Sequence, residues 1–203
     1  MLYFVALYLI RALLWFRCSL RIEGLEHVPR NGGGFLVSNH RSALDPIIIG
    51  ASISKRQIRF MAKKELFQNW ALRSIIQKLG AFPVDREFTD KRFIRQVCQY
   101  LEEKEDLILI FGEGTRNLDF NKALMPLKSG FAFLAKRAEV VIIPMYVSGI
   151  RQLFRPVLRP KLFISFGSPL SVSDIRNTVR ETHEIMTQMA ENHRQKLNAT
   201  TFA

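Results

Sequence analysis

The chain has 203 residues, of which 48% are hydrophobic and 16 are Phe, so it can bury a sizeable core and is not a disordered protein. Lys and Arg number 30 against 18 Asp and Glu, and the resulting net charge of +12 predicts an anionic membrane surface or a phosphorylated substrate as partner. We expect no nucleic acid partner, because the sequence lacks zinc-finger spacing and an RNA-binding aromatic motif, and its basic residues are scattered.

Residues 1–22 predict an apolar, membrane-anchoring helix that precedes a single domain at 23–203. The first 20 residues are apolar at 17 positions. Arg11 would cost about 2.5–3.5 kcal/mol at the centre of a bilayer, which the apolar residues can offset. Basic residues at and after the end of this segment favour a membrane-associated protein on the cytoplasmic face. Spanning and interfacial anchoring both stay open, and the alternative is a helix packed on the domain's own core.

From residue 21 onward, apolar runs alternate with amphipathic segments. The runs predict strands at 34–38, 58–62, 81–84, 107–111, 140–147 and 161–166. The segments predict helices at about 45–54, 64–79, 89–104, 129–138 and 173–198. This alternation is typical of an α/β fold with a mainly parallel central sheet flanked by helices. The segment 64–79 carries basic residues on an apolar helix, so it either touches lipid headgroups or is a buried helix with basic ends.

A histidine and an aspartate lie five positions apart at the end of the first of these strands. Asp45 followed by Pro46 predicts a helix start, with Asp45 as N-cap and Pro46 as the first helical residue. Residues 40–44 then form a turn that can bring the His40 ring back to the Asp45 carboxylate. Such a pair at the carboxyl end of a strand is a candidate catalytic site. The alternative is that Asp45 only caps the helix and His40 is structural.

Three further segments carry groups suited to an anion. Gly112–Asn117 follows a strand and combines glycines with Thr115 and Arg116. A second segment, 80–86, is another strand end, and it finishes in Arg86. The third candidate is Lys128, beside a predicted helix start, where free backbone N–H groups bind phosphate. Together with the Asp–His pair, these segments predict chemistry on a phosphorylated molecule.

Four motifs in order resemble the glycerolipid acyltransferases. They are Asn39-His40 with Asp45, the segment 80–86, the segment 111–116 and the segment 141–149. Within that group the pattern resembles the 1-acyl-sn-glycerol-3-phosphate acyltransferase family, also called lysophosphatidic acid acyltransferases. One departure is visible: the third motif usually reads Phe-Pro-Glu-Gly-Thr-Arg, and this chain has Gly112 in place of Pro. That change predicts a looser loop.

The resemblance implies a reaction and its partners. A fatty acyl group would move from an acyl thioester to the sn-2 hydroxyl of 1-acyl-sn-glycerol 3-phosphate, giving phosphatidic acid in phospholipid biosynthesis. The co-substrate would be acyl-CoA or acyl carrier protein, with no bound cofactor and no metal. His40 would act as general base and Asp45 would orient it, and the hydroxyl would attack the thioester directly.

The resemblance also implies a binding role for other residues. The set expected at the substrate phosphate comprises Arg86, Glu113, Gly114, Thr115, Arg116 and Lys128. Within it, Glu113 would orient the loop or a glycerol hydroxyl rather than act as a base. Pro144, in the fourth motif, would support the acyl-donor pocket.

Other functions stay open at this point. The acceptor could be glycerol 3-phosphate or another lysophospholipid. A protein of a different class, a non-catalytic basic membrane-binding protein, would have the same charge and the same N-terminal helix. A hydrolase using Ser42 or Cys98 is disfavoured, because the sequence has no Gly-x-Ser-x-Gly nucleophile elbow.

Overall fold

A computed structural model describes residues 2–53, 56–84, 91–103, 105–119, 121–150, 153 and 159–199. Its helices are α1 (Leu2–Arg17), α2 (Asp45–Ser52), α3 (Trp70–Lys78), α4 (Lys91–Glu102), α5 (Gly130–Arg137) and α6 (Ile175–Ala199). Its strands are β1 (Ser19–Glu23), β2 (Gly34–Ser38), β3 (Ile58–Lys63), β4 (Ala81–Val84), β5 (Leu107–Phe111), β6 (Val141–Ser148) and β7 (Lys161–Phe166). Short 3₁₀ turns cover Leu25–His27 and Lys64–Phe67.

The strands form one seven-stranded sheet in the order β1-β7-β6-β2-β5-β3-β4. Neighbouring strands are parallel except for β6 and β7, which pair antiparallel. The predicted α/β fold with a mainly parallel sheet and flanking helices is therefore confirmed. Strand β2 lies between β6 and β5, with all five of its residues buried. Its continuous apolar sequence follows from this position, because helices cover both faces of the sheet.

The two faces of the sheet have separate cores. On one face, Leu36 of β2 packs in a cluster with Ile48 and Ile49 of α2 and with Leu7 and Leu14 of α1. On the other face, Phe35 and Val37 of β2 pack with residues of the helices α4, α5 and α6. That second cluster includes Phe35, Val37, Val97, Phe131 and Met186. The period of two along β2 thus supplies both cores.

The N-terminal helix ends earlier than predicted. Helix α1 stops at Arg17, and residues 19–22, which we expected in the apolar helix, belong to β1 and pair in parallel with β7. The reason is visible in Ser19–Glu23, where polar and apolar residues alternate as in a strand. The described part of the chain contains no helix of the length and hydropathy that crossing a bilayer requires. Membrane association of α1 stays a prediction.

The predicted helix at 64–79 is divided in two. Lys64–Phe67 is a 3₁₀ turn, and α3 starts after Asn69, whose side chain accepts the backbone N–H of Leu72 at 3.0 Å. This is an N-cap contact, which explains where the helix begins. No residue of α3 is buried. The interpretation of this segment as a buried helix with basic ends is therefore wrong.

Candidate active site

His40 and Asp45 form the predicted pair at the carboxyl end of β2. Directly after β2, the Asn39 side chain makes two hydrogen bonds with the backbone of Val147. Its Nδ2 donates to the carbonyl at 2.9 Å, and its Oδ1 accepts the N–H at 2.8 Å. The chain then turns, and α2 begins at Asp45. Nδ1 of His40 lies 2.8 Å from Oδ2 of Asp45. Because an ionised carboxylate only accepts hydrogen bonds, Nδ1 carries the proton and Nε2 carries the lone pair.

The Asp45 carboxylate holds the turn rather than the start of the helix. Its Oδ2 also accepts the backbone N–H groups of Arg41 at 2.7 Å and Ser42 at 2.9 Å. The N-cap of α2 is Leu44, so Asp45 is the first helical residue and Pro46 the second. The predicted assignment of Asp45 as N-cap is wrong by one position, because its carboxylate points back to the turn. Asp45 is 1% exposed, and its Oδ1 has no hydrogen-bond partner within the described residues.

The His40 ring is held from several directions. It stacks on the Phe111 ring at 3.8 Å between centroids, with 11° between the planes. Its backbone N–H donates to Oε1 of Glu113 at 3.0 Å, and its carbonyl accepts the N–H of Asn117 at 2.8 Å. The side chain is 12% exposed, and among the residues that the structure describes Nε2 has no hydrogen-bond partner. This nitrogen is therefore available to accept a proton from a bound molecule.

Both oxygens of the Glu113 carboxylate accept backbone N–H groups. Its Oε1 accepts the His40 N–H, and its Oε2 accepts the N–H of Met125 at 3.2 Å. The residue is 2% exposed, and burial raises the pKa of its carboxyl group, while these two hydrogen bonds oppose the rise. Backbone donors occupy both oxygens, which favours a role in orienting the loop, and contact of Glu113 with a phosphate stays a prediction. The expectation that it orients the loop agrees with its contacts.

Gly112 is fixed although it replaces the usual proline. Its N–H donates to the carbonyl of Ser38 at 3.1 Å, and its own carbonyl accepts the N–H of Lys128 at 2.8 Å. A proline at 112 could not make the first of these bonds. A Cβ atom at this position would also lie 2.9 Å from the Leu127 side chain. These contacts restrain Gly112, and the looser loop stays a prediction.

Of the residues expected at the phosphate, Gly114 and Lys128 are in contact. Gly114 has a positive φ of 73°, and a Cβ there would lie 2.9–3.0 Å from the end of the Lys128 side chain. Thr115 and Arg116 are exposed in the same loop. Arg86 lies outside the described residues. The structure thus places the Lys128 side chain against the Gly112–Asn117 loop and an exposed Arg116 on it, and their phosphate-binding role stays a prediction.

A cavity of about 290 Å³ adjoins this loop. Its wall includes Phe111, which stacks on His40, together with Gly114 and Lys128. The remainder of the wall is mainly apolar and includes Met61, Phe93, Phe131, Phe133 and Leu134. Pro144 is not among the lining residues; it is buried in β6 as the register partner of Val37. Its role in an acyl-donor pocket stays a prediction.

Sequence reasoning missed the role of Arg41. Its guanidinium donates to the backbone carbonyls of Asp119 and Ala123, each at 2.9 Å, and to that of Lys122. The Tyr146 hydroxyl also donates to the Ala123 carbonyl, at 3.2 Å. These bonds tie the segment after the Gly112–Asn117 loop to the turn that carries His40. No local signal could have shown this, because the contact joins residues about 80 positions apart.

The described residues include no group of three or more His, Cys, Asp or Glu side chains that could hold a metal ion.

Comparison with known proteins defines the class. The family model Acyltransferase matches residues 19–148, which contain β1 to β6 and all of the loops described above. This chain belongs to the Acyltransferase family.

Within the family, the chain is similar to 1-acyl-sn-glycerol-3-phosphate acyltransferases. It is 29% identical to the enzyme of that name from Streptococcus pneumoniae over 195 residues, which are 95% of this chain and 72% of that one. It is 32% identical to the enzyme from Bacillus subtilis over 168 residues, 81% of this chain and 80% of that one. The fold matches the crystal structure of the 1-acyl-sn-glycerophosphate acyltransferase from Thermotoga maritima, with a TM-score of 0.76 and 22% identity, over 94% of this chain and 78% of that chain.

Proposed function

We propose that this protein transfers a fatty acyl group from an acyl thioester to the sn-2 hydroxyl of 1-acyl-sn-glycerol 3-phosphate, giving phosphatidic acid. The observation that carries the proposal is the His40–Asp45 pair, whose Nε2 is available beside an apolar cavity in a chain of the Acyltransferase family. The names of the similar enzymes from S. pneumoniae and B. subtilis support the choice of acceptor.

His40 supplies the base in this reaction. Nε2 takes the proton of the acceptor hydroxyl as its oxygen bonds to the thioester carbonyl carbon. The tetrahedral intermediate then collapses, the carbon–sulfur bond breaks, and the imidazolium returns its proton to the leaving thiolate. No acyl-enzyme is formed, so no nucleophilic side chain is needed. Asp45 keeps the proton on Nδ1 and stabilises the imidazolium, and general-base assistance of this kind contributes about 10²–10⁴-fold in rate.

The cationic side of the site would hold the acceptor's phosphate. Lys128 lies against Gly114, and Arg116 is exposed two residues further along. Arg86 follows β4, which is the sheet neighbour of β3. Anchoring the phosphate there fixes the glycerol backbone, and its free hydroxyl can then be directed to His40. Arg116 can bind a phosphate through two parallel N–H groups, which sets orientation as well as affinity.

The cavity of about 290 Å³ is the proposed site for a fatty acyl chain. It is lined mainly by apolar side chains and it reaches Phe111, whose ring touches His40. A chain bound there has its carboxyl end near the base. The donor is acyl-CoA or acyl carrier protein, and the protein binds no cofactor of its own.

The protein would work on the cytoplasmic face of a membrane, where both the lipid acceptor and the product reside. Helix α1 supports this proposal: Leu7 and Leu14 pack inward, whereas Tyr8, Trp15 and Phe16 are each more than 70% exposed. Exposed aromatic residues of this kind are favoured at the membrane interface.

A donor and acceptor panel tests the function. Purified protein in lipid or detergent is given acyl-CoA or acyl carrier protein thioesters with lysophosphatidic acid, glycerol 3-phosphate or other lysophospholipids, and products are identified by mass. We expect phosphatidic acid from lysophosphatidic acid. Product from another acceptor alone would overturn the choice of acceptor. Absence of every product, with intact binding to anionic vesicles, would favour the non-catalytic membrane-binding protein.

A further inference from the structure

Helices α1 and α3 lie on the same side of the sheet. Leu7 of α1, Pro46 of α2 and Leu79 at the end of α3 line one small cleft. The first two of these helices pack in the same core cluster, on the face opposite to α4, α5 and α6. Leu79 caps the C-terminus of α3, so this end of the helix lies on the α1 side of the sheet.

This side carries most of the exposed large apolar side chains among the described residues. Six of the twelve are on α1: Val5, Tyr8, Leu9, Leu13, Trp15 and Phe16. Four are in the segment 66–75: Leu66 at 44%, Trp70 at 82%, Leu72 at 39% and Ile75 at 57% exposed. No residue of α3 is fully buried, and only Ser74 and Ile76 are partly buried. An exposed apolar surface of this size indicates contact with a membrane or with another molecule.

The charges around α3 indicate what covers it. Lys63, Lys64, Arg73 and Lys78 lie in or beside the 3₁₀ turn and α3, against the single acid Glu65. Trp70 is the first residue of the helix and precedes Arg73 and Lys78. A Trp with Leu and Ile neighbours and flanking Lys and Arg is the composition of a segment that lies in an anionic membrane interface.

We infer that residues 64–79 form a second membrane contact, which together with α1 seats this side of the protein in the headgroup region of an anionic bilayer. The inference rests on the proposed membrane association of α1 and adds α3 to it. Two contacts fix the orientation of the domain on the membrane, which one helix would leave free to rotate about its axis.

The chain has two tryptophans, Trp15 in α1 and Trp70 in α3, so the membrane contact of each helix can be measured separately by fluorescence. Trp15→Phe leaves Trp70 as the only indole, and Trp70→Phe leaves Trp15. Each protein is mixed with phosphatidylglycerol and phosphatidylcholine vesicles whose acyl chains carry bromine at defined depths, and fluorescence quenching is measured. We expect blue-shifted emission and quenching for both indoles. Quenching of Trp15 alone would overturn the α3 contact and leave the proposed membrane association standing. Quenching of neither would overturn both.

A charge placed in the apolar surface gives a second test. Ile75→Glu should lower partition into the same vesicles about tenfold, because a half-exposed isoleucine no longer enters the interface and a negative charge meets an anionic surface. Gln188→Glu on α6 is the matched control, since it adds the same charge at an exposed position on the other side of the sheet. Equal partition of Ile75→Glu and wild-type protein would overturn the inference. Circular dichroism confirms that both variants are folded.

Discussion

Nδ1 of His40 lies 2.8 Å from Oδ2 of Asp45, and the same oxygen accepts the backbone N–H groups of Arg41 and Ser42. One carboxylate oxygen therefore orients the ring and shapes the turn that carries it. The second oxygen is buried and has no partner within the described part of the chain. The position of the base and the geometry of the loop are thus determined by the same side chain.

Replacing Asp45 with Asn separates these two roles. The asparagine oxygen can still accept the two backbone N–H groups, so the turn and the folding stability should change little. The same oxygen would still face Nδ1, but a neutral amide cannot stabilise an imidazolium as a carboxylate does. We expect kcat to fall about 10²–10⁴-fold, measured by steady-state kinetics beside a thermal melt. Full activity with an unchanged melting temperature would remove Asp45 from the mechanism.

Replacing Arg116 with Ala tests the phosphate site. If this guanidinium binds the acceptor phosphate, the KM for lysophosphatidic acid should rise about tenfold or more, while kcat changes less. Arg180→Ala is the control, because it removes the same charge from an exposed position on α6, where the side chain is 73% exposed. An equal rise in KM for both variants would show a general charge effect instead of a phosphate contact.

Filling the cavity should shorten the preferred acyl chain. Gly130 lines the cavity, and a Cβ atom there would meet nothing within 4 Å, so a larger residue has space. Gly130→Leu should lower the rate with palmitoyl donors relative to decanoyl donors, measured by competition and product mass. Gly130→Ala is the control and should leave the ratio nearly unchanged. If Gly130→Leu also leaves it unchanged, the cavity does not hold the acyl chain.

His193 should make folding stability depend on pH. The residue is 1% exposed, its ring nitrogens contact the hydroxyls of Ser148 at 3.0 Å and Ser165 at 2.7 Å, and burial lowers its pKa from 6.5 to about 4. The unfolded chain takes up a proton below about pH 6.5 that the folded chain does not, so stability is lost as pH falls from there to about 4. The full loss is worth about 3 kcal/mol.

Urea unfolding at several pH values measures this effect. His193→Gln has no ionisable ring, so its free energy of unfolding should lose less between pH 7 and pH 4.5 than that of the wild-type protein. The relevant quantity is the difference in pH dependence, because the substitution also changes stability at pH 7. The same slope in both proteins would show that His193 is not the titrating group.

Much of the fold could be predicted because its signals are local. The six strands predicted from apolar runs correspond to β2 to β7, with boundaries that differ by one residue or less. They are recognisable because buried parallel strands have continuous apolar sequences. The sequence does not separate β1 from α1. Its short alternating stretch follows the apolar helix directly, so it was included in the predicted helix. The division at 64–79 was also missed, and it depends on the Asn69 cap.

The site was predictable to the extent that its parts are neighbours in sequence. His40 and Asp45 are joined by a short turn, so their contact followed from a helix start and a strand end. The contact of Glu113 with His40 and that of Arg41 with Asp119 each span more than 70 positions, and the tertiary fold brings these residues together. The family resemblance identified Glu113 as a site residue. It could not show which backbone N–H groups bond to the Glu113 carboxylate, because those contacts depend on the tertiary structure.

The most direct test of the central claim is the rate of phosphatidic acid formation by His40→Ala, compared with wild-type protein at equal vesicle-bound concentration. His40 is 12% exposed and its backbone makes the contacts that hold the loop, so the variant should fold and bind the membrane normally. We predict a loss of about 10²–10⁴-fold or more in kcat. Turnover close to that of the wild-type protein would contradict the assignment of His40 as the general base.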